Sequence, residues 1–242
     1  MSIYKINRIG EILKDNEYVG RGIVTGLSAD AKKAAFAYFI MGRSANSRNR
    51  IFEEKGEDVI IYPYDASKVE DPSLIIYSPV RKAGKRVVVT NGDQTDTVCD
   101  FLAAGKTFEE ALETRCFEPD APNFTPRISA LLDFTDGYTY KQSILKSGDE
   151  EGSVCNRYTF SYAPVAGLGH FIHTYNENGN PIPTFTGEPE RVKIPDSPQD
   201  FAKEIWENLN EENKISLYVR YIGIADGRSE SVLINKYRRA EK

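Results

Sequence analysis

The chain has only two histidines, three cysteines, one tryptophan and two methionines in 242 residues. His170 and His173 sit in Gly169-His170-Phe171-Ile172-His173, with no HExxH pattern and no third imidazole, so the sequence offers no histidine-built metal site. On a strand these two side chains point to opposite faces, and both read as structural. Cys99, Cys116 and Cys155 are widely spaced, odd in number and without a CxxC, which fits a reducing compartment and no disulfide framework. None has a histidine neighbour in sequence, so a Cys-His nucleophile finds no support. No apolar run approaches the roughly 18 to 20 residues that span a bilayer. The start, Met1-Ser2-Ile3-Tyr4-Lys5, lacks a signal peptide's apolar stretch, and the expected location is the cytosol. Thirty-one Lys and Arg against 36 Asp and Glu give a net charge of -5. That balance argues against a dedicated nucleic-acid binder and leaves room for a local basic pocket that takes a small anion.

What is present is a globular composition, 40% hydrophobic and 11% aromatic, enough for a core. No repeat or low-complexity tract divides the chain, and residues 1–242 read as one domain. Strands are expected at Arg21 to Leu27, Ala34 to Met41, Val59 to Tyr62, Leu74 to Val80, Arg86 to Thr90, Ile128 to Phe134, Tyr138 to Leu145, Asn156 to Tyr162 and Gly167 to Tyr175. Helices are expected at Thr97 to Ala104, at Thr107 to Thr114 with the capping-box pair Thr107 and Glu110, and from Gln199 to about Asn208 behind Ser197-Pro198. Phe201, Ile205 and Leu209 mark that last helix's buried face, and Trp206 reads as packing. The proline-rich stretch from Asn176 to Pro198 is expected outside any sheet interior. A hairpin around Asp226-Gly227, from Ile215 to Ile224 and Ser231 to Tyr237, closes the chain. Many hairpin-linked strands with few helices point to an α+β fold, not a doubly wound parallel sheet.

Four segments could carry chemistry. Gly42 to Arg50 packs Arg43, Arg48 and Arg50 with Ser44, Ser47, Asn46 and Asn49 behind an apolar strand. Arginine forks pair with phosphate oxygens, although Asn and Ser also build ordinary turns. In Leu74-Ile75-Ile76-Tyr77-Ser78-Pro79, a strand delivers Tyr77, either as an acid/base near a developing oxyanion or as a core aromatic. Thr90-Asn91-Gly92-Asp93-Gln94-Thr95-Asp96 runs from a buried strand into a helix. Its amides could bind a carboxamide or phosphate, or it could be a turn capped by Asp93 or Thr95. Phe117 to Arg127 holds three prolines in eight residues, Pro119 to Pro126. Such rigidity could pre-organise Glu118 for catalysis, or Glu118 and Arg127 could form an ion pair that holds the loop.

Taken together and in this order, these pieces resemble the archaeal-type IMP cyclohydrolase family. The likeness rests on Tyr18-Val19-Gly20-Arg21-Gly22-Ile23, on Ala37-Tyr38-Phe39-Ile40-Met41-Gly42-Arg43-Ser44 with Asn49-Arg50, and on Asp71-Pro72 with Tyr77 and Val80-Arg81. It extends through Thr90 to Asp96 and Asn123-Phe124-Thr125-Pro126-Arg127-Ile128, covering roughly residues 18 to 135. The chain departs from the family pattern at Ser78-Pro79 and at Asp93-Gln94.

The resemblance implies a four-layer αββα sandwich like that of N-terminal nucleophile hydrolases, without the N-terminal nucleophile. It implies closure of 5-formamidoimidazole-4-carboxamide ribotide to IMP with loss of water, no metal or organic cofactor, and a homotetramer. Carried onto this chain, it makes Arg50, Tyr77 and Glu118 the catalytic candidates, with Arg48 a rival alignment to Arg50. Arg21, Arg43, Ser44, Arg48, Asn49, Asn91, Gly92, Asp93, Thr125 and Arg127 become the substrate-binding candidates. Two rival readings stand beside it. One is a purine-nucleotide-binding protein without turnover. The other is an amidohydrolase whose nucleophile is Ser2, exposed once Met1 is removed.

Overall fold

Lys33–Met41 is a nine-residue strand in which every residue after Lys33 is buried. Such a strand is stable only with both faces covered, because successive side chains point to opposite sides. The computed structural model, which describes residues 4–69 and 76–239, covers them with different partners. Ala34, Phe36, Tyr38 and Ile40 face a core shared with a second sheet, while Ala35, Ala37, Phe39 and Met41 face helices.

Along the chain run α1 (Ile9–Leu13), β1 (Arg21–Leu27), β2 (Lys33–Met41), α2 (Ala45–Arg48), β3 (Ile51–Lys55), β4 (Asp58–Tyr62), β5 (Val80–Ala83) and β6 (Arg86–Thr90). Next come α3 (Gln94–Ala103), α4 (Phe108–Glu113), β7 (Arg127–Asp133), β8 (Thr139–Ser147), β9 (Cys155–Tyr162) and β10 (Leu168–His173). The chain closes with β11 (Glu190–Lys193), α5 (Pro198–Asn208), β12 (Lys214–Gly223) and β13 (Ser229–Asn235). One sheet has the order β11-β10-β1-β2-β12-β13 and the other β3-β4-β5-β6-β7-β8-β9. All ladders between these strands are antiparallel, so the fold is α+β as the strand pattern predicts.

Three apolar cores follow from strand alternation. Ile23, Phe36 and Tyr38 of the six-stranded sheet meet Val87, Val89, Ile128 and Ile144 of the seven-stranded sheet. On the outer side of the first sheet, Val24, Phe39 and Phe171 pack on Ile9 and Leu13 of α1 and on Phe201 and Ile205 of α5. On the outer side of the second, Val88, Leu131 and Leu145 pack on Val98 and Leu102 of α3 and Phe108 and Leu112 of α4. Phe201 and Ile205 are fully buried, each contributing about 1.5–3 kcal/mol. Thr107 and Glu110 form the expected capping box at α4, and Ser197 caps α5 with Pro198 in the first turn.

Several expectations are corrected. The strand foreseen over Leu74 to Val80 is not one: residues 74–75 lie outside the described residues, Ile76 to Pro79 is not a strand, and β5 begins at Val80. Pro79 has no N–H to give a ladder, although the Tyr77 and Pro79 carbonyls accept from Ile61 N (2.9 Å) and Thr90 N (2.8 Å). Helix α3 starts at Gln94, three residues before Thr97, with Asp93 at the N-cap position but making no side-chain cap bond. Within the proline-rich stretch, Glu190–Lys193 pairs with β10 only at a sheet edge, in agreement with the expectation that this stretch stays outside a sheet interior. His170 and His173 do face opposite sides. His170 Nδ1 lies 2.8 Å from the Tyr140 hydroxyl with its ring stacked on Tyr162, and burial lowers its pKa to about 4. His173 Nδ1 bonds the Tyr175 carbonyl at 2.7 Å. The cysteines are all free, and burial first, with Cys116 as a neighbour, raises the Cys155 thiol above its ordinary range. Among the described residues no helix is long and apolar enough to cross a membrane.

Candidate active site at one end of the two sheets

In the first sheet β1 begins where β2 ends, Arg21 lying opposite Ile40. In the second, β6 ends beside the start of β7, with Thr90 opposite Ser129. The candidate side chains come from these ends and from the loops beyond them. Gly20 turns the chain into β1 at φ +76, and a Cβ there would lie 2.1 Å from Thr174 Oγ1, which itself accepts the Arg21 N–H at 3.1 Å. Arg50 precedes β3, Tyr77 precedes β5, and Glu118 sits in the loop between α4 and β7.

The structure brings Arg21, Arg50, Tyr77 and Glu118 into one electrostatically coupled group and adds Tyr38 to it. Arg21, Arg50, Tyr77 and Glu118 are half-buried, so solvent reaches the group from one side. Tyr77 donates to the Asn91 carbonyl at 2.8 Å, and the Tyr38 hydroxyl lies 3.4 Å from that of Tyr77. Arg50 Nε is buried with no hydrogen-bond partner among the described residues. The Arg21 guanidinium and the Glu118 carboxylate likewise make no hydrogen bond or ion pair there. Half-buried charged groups left unpaired are costly unless a ligand completes them.

Burial raises the Glu118 carboxyl above the usual carboxylate range, partly opposed by Arg21 and Arg127. Burial and then the Arg21 charge lower Arg50, and burial raises Tyr77 against the pull of Arg50 and Arg21. The Glu118–Arg127 ion pair considered from the sequence does not form. Asp120 holds the loop instead, accepting from Thr125 N at 2.6 Å and from Thr125 Oγ1, while Glu118 N donates to Thr125 O at 2.9 Å.

The other sequence candidates are placed around this group. Arg127 Nη1 donates to Asp93 Oδ1 at 2.7 Å and Gln94 Oε1 at 2.6 Å, and lies over Gly92, where a Cβ would meet it at 2.3 Å. Gly92 is therefore needed for close approach. Asp93 is exposed and also pairs with Arg115, these ion pairs outweighing its partial burial and holding its carboxyl below the usual range. Asn91 is buried. Its amide donates to Pro126 O and accepts from Ile128 N and Gln94 Nε2, so its side chain clamps the segment carrying Arg127. Asn49 is buried and bonds the Asp65 backbone in both directions. Ser44 caps α2. Arg48 donates to Gly42 O and Asn213 Oδ1, at 3.0 Å each, a tether between segments. Of the two rival arginines, it is Arg50 that joins Tyr77. Arg43 is exposed, bonds Asn178 Oδ1 at 2.6 Å and lies over the Tyr18 ring.

Sequence reasoning assigned no role to Tyr38, Tyr18 or Tyr175. Tyr18 stacks on Tyr175, whose hydroxyl meets Thr125 Oγ1 at 2.6 Å, forming a wall beside Arg21. Tyr18 and Tyr38 lay within the segments that carry the resemblance, but an apolar-strand tyrosine gives no local sign of its task. A cleft of about 350 Å³ opens at the opposite end of the sheets, beside Gly223 and Arg86. Its Arg220 is bonded to the Tyr218 hydroxyl and Glu57 O, and its Lys82 and Arg86 are paired with Glu57 and Asp133, unlike the group around Arg50.

The IMP cyclohydrolase of Methanopyrus kandleri is 35% identical over 127 residues, 51% of this chain and 61% of that protein. The IMP cyclohydrolase of Methanocaldococcus jannaschii is 32% identical over 124 residues, 50% of this chain and 59% of that protein. The matched part thus spans about three-fifths of these relatives' length. The match to the family model of IMP cyclohydrolase-like proteins is longer and runs through the strands beyond residue 135. With residues 18–227 matched, this chain belongs to the IMP cyclohydrolase-like family.

Proposed function

We propose that the protein closes the pyrimidine ring of 5-formamidoimidazole-4-carboxamide ribotide to give IMP and water, in the last step of purine synthesis. The observation that carries this reading is the meeting of Arg21, Arg50, Tyr77 and Glu118, from four separate segments, with the two guanidiniums and the carboxylate making no hydrogen bond or ion pair among the described residues. The reaction needs such a set. The carboxamide nitrogen attacks the neighbouring formyl carbon, and the formyl oxygen gathers negative charge. The oxygen then leaves as water, taking one hydrogen from the carboxamide nitrogen and one from the formamide nitrogen.

Arg50 and Tyr77 meet the formyl oxygen: Arg50 stabilises its charge and Tyr77 supplies a proton as it departs. Glu118 accepts the carboxamide proton. Arg21, Arg43 and Arg127 hold the ribose phosphate and base, and the Tyr18–Tyr175 wall offers a surface for the flat heterocycle. The three cores and two sheets fit the four-layer αββα sandwich of N-terminal nucleophile hydrolases, here used without that nucleophile. Ser2, the nucleophile of the rival amidohydrolase reading, lies outside the described residues, as does Asp71-Pro72 of the resemblance.

Purified protein given the formylated ribotide is expected to form IMP, read by chromatography against a no-enzyme control. Tyr77→Phe is expected to lose about 10²-fold in turnover with unchanged circular dichroism. No IMP above control, from folded protein that binds IMP by calorimetry, would leave a nucleotide-binding protein in its place. We further propose a cytosolic homotetramer. Light scattering should then give four times the 27.2 kDa chain mass, and a monomer mass would remove that assembly.

A further inference from the structure

Tyr38 is fully buried in β2, its ring stacked on Phe52 at 5.5 Å between centroids. Phenylalanine would fill that place as well. The hydroxyl has one hydrogen-bond partner among the described residues, the Tyr77 hydroxyl at 3.4 Å. A phenol carries a single proton, and that of Tyr77 goes to the Asn91 carbonyl at 2.8 Å. Tyr38 is therefore the donor in the contact between the two.

We propose that Tyr38 is a positioning residue for the ring closure: it donates its O–H to the Tyr77 oxygen, fixing that hydroxyl and steadying the charge that grows on it as Tyr77 gives up its proton. This rests on the cyclohydrolase reading of the site. At 3.4 Å the contact is longer than the usual O–H···O separation of about 2.7–2.8 Å, so it is weak at rest and has room to shorten. Donation to an ionising oxygen is stronger than to a neutral one, so the bond strengthens as the reaction proceeds. That is the differential stabilisation that lowers a barrier without tightening substrate binding. The other charged groups facing Tyr77 are Arg21 from β1, Arg50 from the segment before β3, and Glu118 from the loop before β7. Tyr38 is the neutral member of that set and the one whose hydroxyl touches no open surface.

The test is a double-mutant cycle with a spectroscopic arm. Tyr38→Phe is expected to lower kcat by about tenfold with KM within about twofold of the parent, the scale of one hydrogen bond. In a Tyr77→Phe background the same change should alter kcat by less than about twofold, because its partner oxygen is gone. In protein labelled at the tyrosine ¹³Cζ, the resonance missing from Tyr77→Phe should move in Tyr38→Phe at neutral pH. An unshifted Tyr77 resonance, a parental kcat in Tyr38→Phe, or an equal loss in both backgrounds would each overturn the proposal. A parent protein that forms no IMP would remove the cyclohydrolase reading. The resonance would still decide whether Tyr38 donates to Tyr77.

Discussion

Glu118→Gln is expected to slow turnover by about 10² to 10⁴ while raising the melting temperature at neutral pH. The rate loss follows from the proposed ring closure: an amide cannot accept the carboxamide proton. The stability follows from the carboxyl's raised pKa, caused first by burial. A folded-state pKa above the unfolded value means that the folded protein holds the proton more tightly. That contribution is full below the unfolded carboxylate range and is lost as pH rises through the folded value. At neutral pH the ionised Glu118 therefore weighs against folding, and Gln lacks the charge. The melting difference between variant and parent should be small in acid and grow toward neutrality. The parent's activity should fall on the acid side at a pH above the ordinary carboxylate range, since the base must be ionised. Parental turnover in the variant, or a lower melting temperature at neutral pH, would refute the assignment.

Arg50→Met should lower kcat by about 10² to 10³, the usual consequence of losing an oxyanion partner, and should also stabilise the protein. Arg50 has a buried Nε without a partner among the described residues and a like charge at Arg21. An unpaired buried donor costs the folded state its desolvation, and an apolar side chain of similar length removes that cost. Arg48→Met is the contrasting variant. Arg48 donates to Gly42 O and Asn213 Oδ1, so its loss should lower the melting temperature, with the smaller change in turnover. The reverse pattern, with Arg48 carrying turnover and Arg50 carrying stability, would exchange their roles. Circular dichroism melts and steady-state rates on the three proteins decide it. On the proposed function, Glu118 and Arg50 would both place function and stability in opposition, as expected where a site is held ready for a charged substrate.

Much of the fold was legible where the signal is local. The bounds Arg21 to Leu27 and Arg86 to Thr90 match β1 and β6, because apolar runs between turn residues mark strands buried on both faces. Thr107 and Ser197 announced their helices through caps that depend only on neighbours in sequence. Ile51–Lys55 was not foreseen as β3, since only Ile51 and Phe52 are buried in it and its charged half gains strand form by pairing with β4. The segment of Tyr77 was read as a strand, yet among the described residues the backbone of Ile76 to Pro79 is tied by two carbonyl acceptors and not by a ladder.

The sequence by itself determined the α+β class and brought forward the arginines, Tyr77 and Glu118 as candidates. Only the tertiary structure decided which of them meet. Arg48 and Arg50 differ by two positions and are equivalent as composition, but one spans to Asn213 and the other faces Arg21 and Tyr77. Asn49 and Asn91 read from the sequence as ligand amides, and only the fold shows that they also bond the Asp65 backbone and the Pro126 to Ile128 backbone. The physical reason is the same in each case. A polar side chain's task is set by the groups within hydrogen-bonding distance, and those come from segments far away in the chain.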